Sequence, residues 1–208
     1  MENEMTKRLI AFVFRKGLDI AFFSKVLFNK YVKGRKMIID VSSDFDQEKA
    51  IEAIIYIAQR YKTPEVYAIC KLLYLADKES LENYGRFIFS ESYCAMEQGA
   101  VPSKAYDLLK LARHQNVGGI EVSGNDVAVS RDSNFDFFSA SDLECLNRII
   151  EKFNGLSGRA LFNAAHDNAW EVNWKRRENS GSVPIPINDI ARELRDSDNL
   201  IEYISNRC

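Results

Sequence analysis

The chain has 208 residues, 46% hydrophobic and 28% charged, with 13 Phe, 9 Tyr, 2 Trp, 10 Gly and 4 Pro. That composition suits one globular domain, or a domain plus an appendage, and excludes a collagen-like or largely disordered chain. The formal net charge of −2 averages two unlike parts: residues 1–36 hold nine Lys/Arg against three Asp/Glu (+6), and residues 37–208 hold nineteen against twenty-seven (−8).

Residues 1–36 form a basic, Phe-rich N-terminal extension. Its apolar runs, Ile10–Phe14 and Ile20–Phe23, fit two short strands or a poorly amphipathic helix, and the hydrophobic positions hold no single face of the kind that lies on a membrane. Arg15 and Lys16 end the run from Leu9 to Phe14, far short of the ~20 apolar residues of a membrane-spanning helix. No small-residue cleavage site follows, so no secretory signal is expected. Met37 before Ile38-Ile39-Asp40 is itself a plausible start. The cysteines Cys70, Cys94, Cys145 and Cys208 form no C-x-x-C pair, and reduced thiols in a cytoplasm are expected.

The body over 37–208 reads as mainly α, a compact helical domain with an inserted β-hairpin at about residues 119–130. Asp46 or Asp44 caps a first helix to about Tyr61, lined by Ala50, Ile51, Ile54, Ile55, Ile57 and Ala58. Thr63-Pro64-Glu65 has the order of an N-cap, a first-turn proline and an acid. The helix it opens runs to Asn83 or Tyr84, with Gly85 as left-handed terminator. Its middle, Ile69 to Ala76, is apolar almost all round, which places it at the centre of a bundle. Arg86–Phe89 is β-prone and leaves one short extra strand open.

A helix is expected from about Ser92 until Gly99 closes it, and another from Pro102-Ser103 to about His114, burying Ala105, Leu108, Leu109 and Leu111. The period then changes. Ile120/Val122 and Val127/Val129 alternate with polar residues around Gly124-Asn125, the pattern of a hairpin with a type II′ turn. Ser141-x-x-Glu144 reads as a capping box for a helix ending at Asn154-Gly155. Ser157 opens a helix carrying Leu161, Phe162, Ala165, His166, Ala169 and Trp170; Asn188 starts another, and Leu200–Ile204 suggests a short last one.

The chemistry-bearing residues are sparse. There is no phosphate loop, no G-x-G-x-x-G and no nucleophile elbow. Of the two histidines, His114 suits a helix C-terminus, and His166 lies one turn from Trp170, where ring packing and one hydrogen bond would pin the C-terminal helix. Cys94 with His166 as thiol and base is the enzymatic reading, and it lacks an orienting third group. Asp77, Glu79 and Glu82 read as the solvated end of the central helix. Lys175-Arg176-Arg177 after Trp174 is the one basic cluster of the body, and a body of net −8 repels nucleic acid. No catalytic residue, metal or cofactor is expected.

Three pieces in order then stand out. The first is Lys71-Leu72-Leu73-Tyr74-Leu75-Ala76-Asp77 followed by Gly85-Arg86-Phe87-Ile88. The second is Ala95-Met96-Glu97-Gln98-Gly99-Ala100-Val101-Pro102, with Tyr106 after it. The third is Leu143-x-x-Leu146 leading to Ser157, His166 and Trp170, a His-x-x-x-Trp. With the hairpin between the second and third, residues 66–206 resemble the Panacea domain, the SocA-like antitoxin domain of bacterial and phage toxin–antitoxin systems. Where the family has Gly-Pro-Val at the corner, this chain has Gly99-Ala100-Val101, and Pro102 supplies rigidity instead.

The resemblance implies a non-enzymatic antitoxin that neutralises a co-encoded protein toxin by direct binding. Alarmone-synthetase-like toxins are among the partners such a family implies. It also implies an alternative, an adaptor delivering the toxin to a protease. The motif residues Tyr74, Glu97, Gly99, Val101, Pro102, His166 and Trp170 are the candidate toxin-binding or fold-building positions. A homo-oligomer stays open, and no membrane partner is expected.

Overall fold

The first described helix starts where one carboxylate caps it. The structure, a computed structural model, describes residues 45–206; the basic extension, Met37 and Cys208 lie outside the described residues. In helix α1 (Gln47–Arg60), Asp46 accepts the Lys49 N–H at 3.0 Å, as an N-cap should. Ala50, Ala53, Ile54 and Ile57 are buried along it. Glu52 is buried too, and accepts from Arg131 at 2.9 and 2.5 Å and from the Asn134 N–H at 2.7 Å, which ties a distant loop to this helix.

Helix α2 (Val66–Tyr84) is central, and Ile69, Leu72, Leu73, Tyr74 and Ala76 are fully enclosed. Gly85 ends it at φ 67°, the left-handed terminator expected. Its start lies later than the Thr63-Pro64 pattern suggests, with Glu65 as N-cap and no side-chain cap. The reason is tertiary. The hairpin of β3 (Ile120–Ser123) and β4 (Asp126–Val129) lays its tip on this segment, with the Val66 N–H on Asn125 O and the Val127 N–H on Pro64 O, both at 2.8 Å. The hairpin itself has the expected two-residue loop, Ser123 pairing with Asp126, and Gly124 at φ 60° supplies the positive φ that a type II′ turn needs.

Several expectations need correction. Residues 86–89 form no strand; Phe87, Ile88 and Phe89 are buried in a turn that Asp77 holds. Residues 92–99 form no helix. They give β1 (Tyr93–Met96), which pairs with β2 (Gly99–Pro102) through a two-residue Glu97-Gln98 turn, so the supposed corner between two helices is a second hairpin. A third strand, β5 (Val183–Ile185), flanks β1 on its other side, giving the antiparallel order β2-β1-β5. Tyr93 and Ala95 are buried while Cys94 and Met96 are half-buried, the period of two that a strand imposes.

Helix α3 (Ser103–Leu111) ends three residues before His114, and Leu111 is 43% exposed rather than buried. In α4 (Ala140–Phe153) the capping box is Ser139 with Asp142, two residues before the expected pair. Asp142 wins because it is fully buried and also binds Lys49 at 2.6 Å and Arg86 at 2.8 Å. The single helix expected over 158–170 is two, α5 (Gly158–Ala165) and α6 (Asn168–Lys175), broken where Asp167 caps the second. Helices α7 (Ile187–Ala191) and α8 (Ser197–Asn206) follow. The described residues are thus mainly α with hairpin inserts, and α2 packs against α4, α5 and β2.

Candidate functional site

A lysine inside a buried helix needs an acceptor. Lys71 of α2 is 1% exposed, and its Nζ donates to Ala100 O of β2 at 2.8 Å. The Tyr67 ring lies one turn back, its centroid 5.2 Å from Nζ. Among the described residues no carboxylate forms an ion pair with it. Burial pushes its pKa down to about 8, with the neighbouring Cys70 and Asp167 acting in the opposite direction.

The β1–β2 hairpin is gripped from two sides. Gly99 sits at φ 99°, and a Cβ there would come 2.7 Å from His166 Cε1 and 2.8 Å from Lys71 Nζ. Imidazole and ammonium therefore both press on this position, which only glycine fits. His166 closes α5, with Nδ1 2.6 Å from Phe162 O. A carbonyl can only accept, so Nδ1 carries the proton. Burial lowers the His166 pKa, which keeps the ring neutral beside the lysine. The ring stacks on Phe162 at 3.6 Å and meets Trp170 edge-on at 4.2 Å. Trp170 Nε1 donates to Met96 O at 2.8 Å, fastening the end of β1 to α6.

Asp167 joins these parts. Its Oδ1 accepts the Trp170 N–H at 2.9 Å, and its Oδ2 accepts Tyr74 Oη at 2.7 Å and Lys78 Nζ at 2.5 Å. Tyr74, Gly99, His166 and Trp170 thus meet around one hairpin. Val101 is half-buried beside them, Pro102 is the buried N-cap residue of α3, and Glu97 is exposed on the turn. Lys71 and Asp167 were missed as site residues. The only signals were a lysine within an apolar stretch and an acid directly before a helical run.

Other groups fall elsewhere. Asp77 is fully buried, not solvated: it accepts the Ile88 N–H at 2.7 Å and Tyr93 Oη at 2.6 Å, and burial raises its pKa to about 7. Glu79 and Glu82 are half-buried and pair with Arg148 and Arg195. Buried Glu91 accepts the N–H groups of Ser92, Lys104 and Ala105 at 2.7–3.0 Å, which serves the start of α3. Cys94 Sγ faces Ser103 Oγ at 3.0 Å, and among the described residues no hydrogen bond joins it to His166. In the basic cluster, Lys175 pairs with Glu171, Arg176 approaches Asp189 at 4.0 Å, and Arg177 lies over the Trp174 ring.

On the outer side of the hairpin is a cleft of ≈ 440 Å³, lined by Tyr67, Lys71, Glu97, Gln98, Tyr106 and Arg113 among others. Its size is in the usual range for a binding site.

Residues 69–171 match the family model for the antitoxin SocA-like, Panacea domain. The chain carries a Panacea domain. The match begins in α2 and ends in α6, so it contains the whole Tyr74–Asp167–Trp170 network and both hairpins. Comparison with curated proteins and with solved structures gives no match. Membership of an antitoxin family supports an antitoxin role and implies a toxin as partner. No helix among the described residues is long and apolar enough to cross a membrane.

Proposed function

We propose that this Panacea-domain protein neutralises a cognate protein toxin by binding it directly, in the cytoplasm where that toxin is made. The observation that carries the reading is the family match over residues 69–171. The site chemistry supports it. His166 Nδ1, Trp170 Nε1 and both oxygens of Asp167 are engaged with protein groups, an arrangement that holds a surface in shape. The net −8 of residues 37–208 favours encounter with a basic protein, since opposite charge speeds association. Glu97 and Val101 are the motif positions open to a partner, and Tyr74, Gly99, Pro102, His166 and Trp170 shape the hairpin that presents them.

The test is to express the product of the adjacent gene alone and together with this chain, following growth and toxin abundance. Restored growth with undiminished toxin is the expected result. Persisting toxicity would refute the antitoxin reading, and rescue through toxin loss in a protease-dependent way would replace binding by delivery to a protease.

A further inference from the structure

Lys71 is the only buried lysine or arginine among the described residues. An ammonium group has three N–H donors, and among the described residues one of them is used, on Ala100 O. A charge taken out of water is unfavourable until it is paired, and Asp167, which favours the charged lysine through space, forms no ion pair with it among the described residues. Lys71, although only 1% exposed, also lines the ≈ 440 Å³ cleft beside the hairpin. Other candidates are weaker. Buried Glu52, Asp77, Glu91 and Asp142 all have their partners within the chain.

The rest of the lining narrows the ligand. Val66, Met96 and Val101 give apolar walls, and Tyr67 and Tyr106 give flat ones. Arg113, bonded to Gly124 O at the tip of the β3–β4 hairpin, and exposed Glu97, on the turn of the β1–β2 hairpin, also line the cleft. The lining thus holds two cations, Lys71 and Arg113, and one exposed acid, Glu97. A polypeptide can place an acid on Lys71 and a cation on Glu97 together, which suits a mixed-charge site.

We propose that this cleft receives an acidic side chain of the toxin, whose carboxylate accepts hydrogen bonds from the idle donors of Lys71. The inference rests on the antitoxin reading and names where the toxin is held. It assigns Lys71 a role in toxin specificity, with Glu97 and Gln98 at the rim.

The experiment measures the affinity of the full-length chain and its variants for the purified product of the adjacent gene, with Tm recorded for each. Lys71→Met preserves side-chain size and removes the buried charge, so its Tm should not fall by more than a few degrees. Its affinity should drop about thirty-fold or more, since the toxin carboxylate is left buried without a partner. Glu97→Gln removes the exposed acid that receives the toxin's cation, leaves Tm unchanged and should weaken binding several-fold, less so at high salt. If Lys71→Met binds as wild type does, the cleft assignment is overturned and the antitoxin reading stands. If wild type itself does not bind the toxin, both are overturned. Should Lys71→Met fail to fold, Glu97→Gln decides, and unchanged affinity overturns the assignment. A rise in wild-type Tm with ATP or free glutamate alone, abolished in Lys71→Met, would make the occupant a small molecule and overturn the polypeptide.

Discussion

Asp77 shows how a single group ties stability to pH. Its carboxyl is fully enclosed, and burial raises its pKa from 3.8 to about 7 even though Tyr93 and the Ile88 N–H stabilise the anion. The folded state therefore holds this proton more tightly than the unfolded chain does between about pH 4 and pH 7. The contribution is complete below about pH 4 and is lost as pH rises through about 7. Asp77→Asn removes the ionisation with little change in size. Its stability relative to wild type should grow by on the order of 2–4 kcal/mol from pH 4 to pH 8, measured by urea unfolding. Parallel curves across that window would contradict the account. Gly99 is the other decisive residue. Gly99→Ala adds a Cβ at φ 99°, 2.7 Å from His166 and 2.8 Å from Lys71, and should cost about 1–3 kcal/mol. A Tm equal to that of wild type would show that the hairpin is not gripped there. Neither position announces its constraint in the sequence, because an aspartate letter carries no burial and a glycine letter no φ.

Among the elements, the junction of α5 and α6 holds the candidate site together. Asp167 caps α6 and receives Tyr74 and Lys78 from α2, so removing it frees both a helix end and a buried phenol. Asp167→Ala should destabilise by about 2–4 kcal/mol, a lost cap plus an unsatisfied buried hydroxyl. A loss below about 0.5 kcal/mol would contradict this assignment. The apolar spacing from Leu161 to Trp170 is continuous, and it hid the break, since periodicity registers which residues face inward and not where the axis turns. The β1–β2 hairpin was hidden for another reason. Four-residue strands show too few alternations to stand out, and one partner, β5, lies about ninety residues further along. By contrast, α1, the end of α2 and the β3–β4 hairpin were legible, because Asp46, Gly85 and Gly124-Asn125 act on their immediate neighbours.

Across the whole molecule, the family resemblance carried more than local chemistry could. The ordered motifs led to the Panacea domain, and the structure brings Tyr74, Gly99, His166 and Trp170 together around one hairpin. The contact surface was not legible. It depends on which polar groups remain idle once the fold is closed, and the proposal for Lys71 arises only once Ala100 O is seen to be its one acceptor among the described residues. The central claim is neutralisation by direct contact, and one titration tests it most directly. Purified toxin from the adjacent gene is assayed in vitro while purified full-length chain is added, with no protease present. Activity should fall to background at a fixed molar ratio. Toxin activity unaffected by an excess of folded chain would contradict the account.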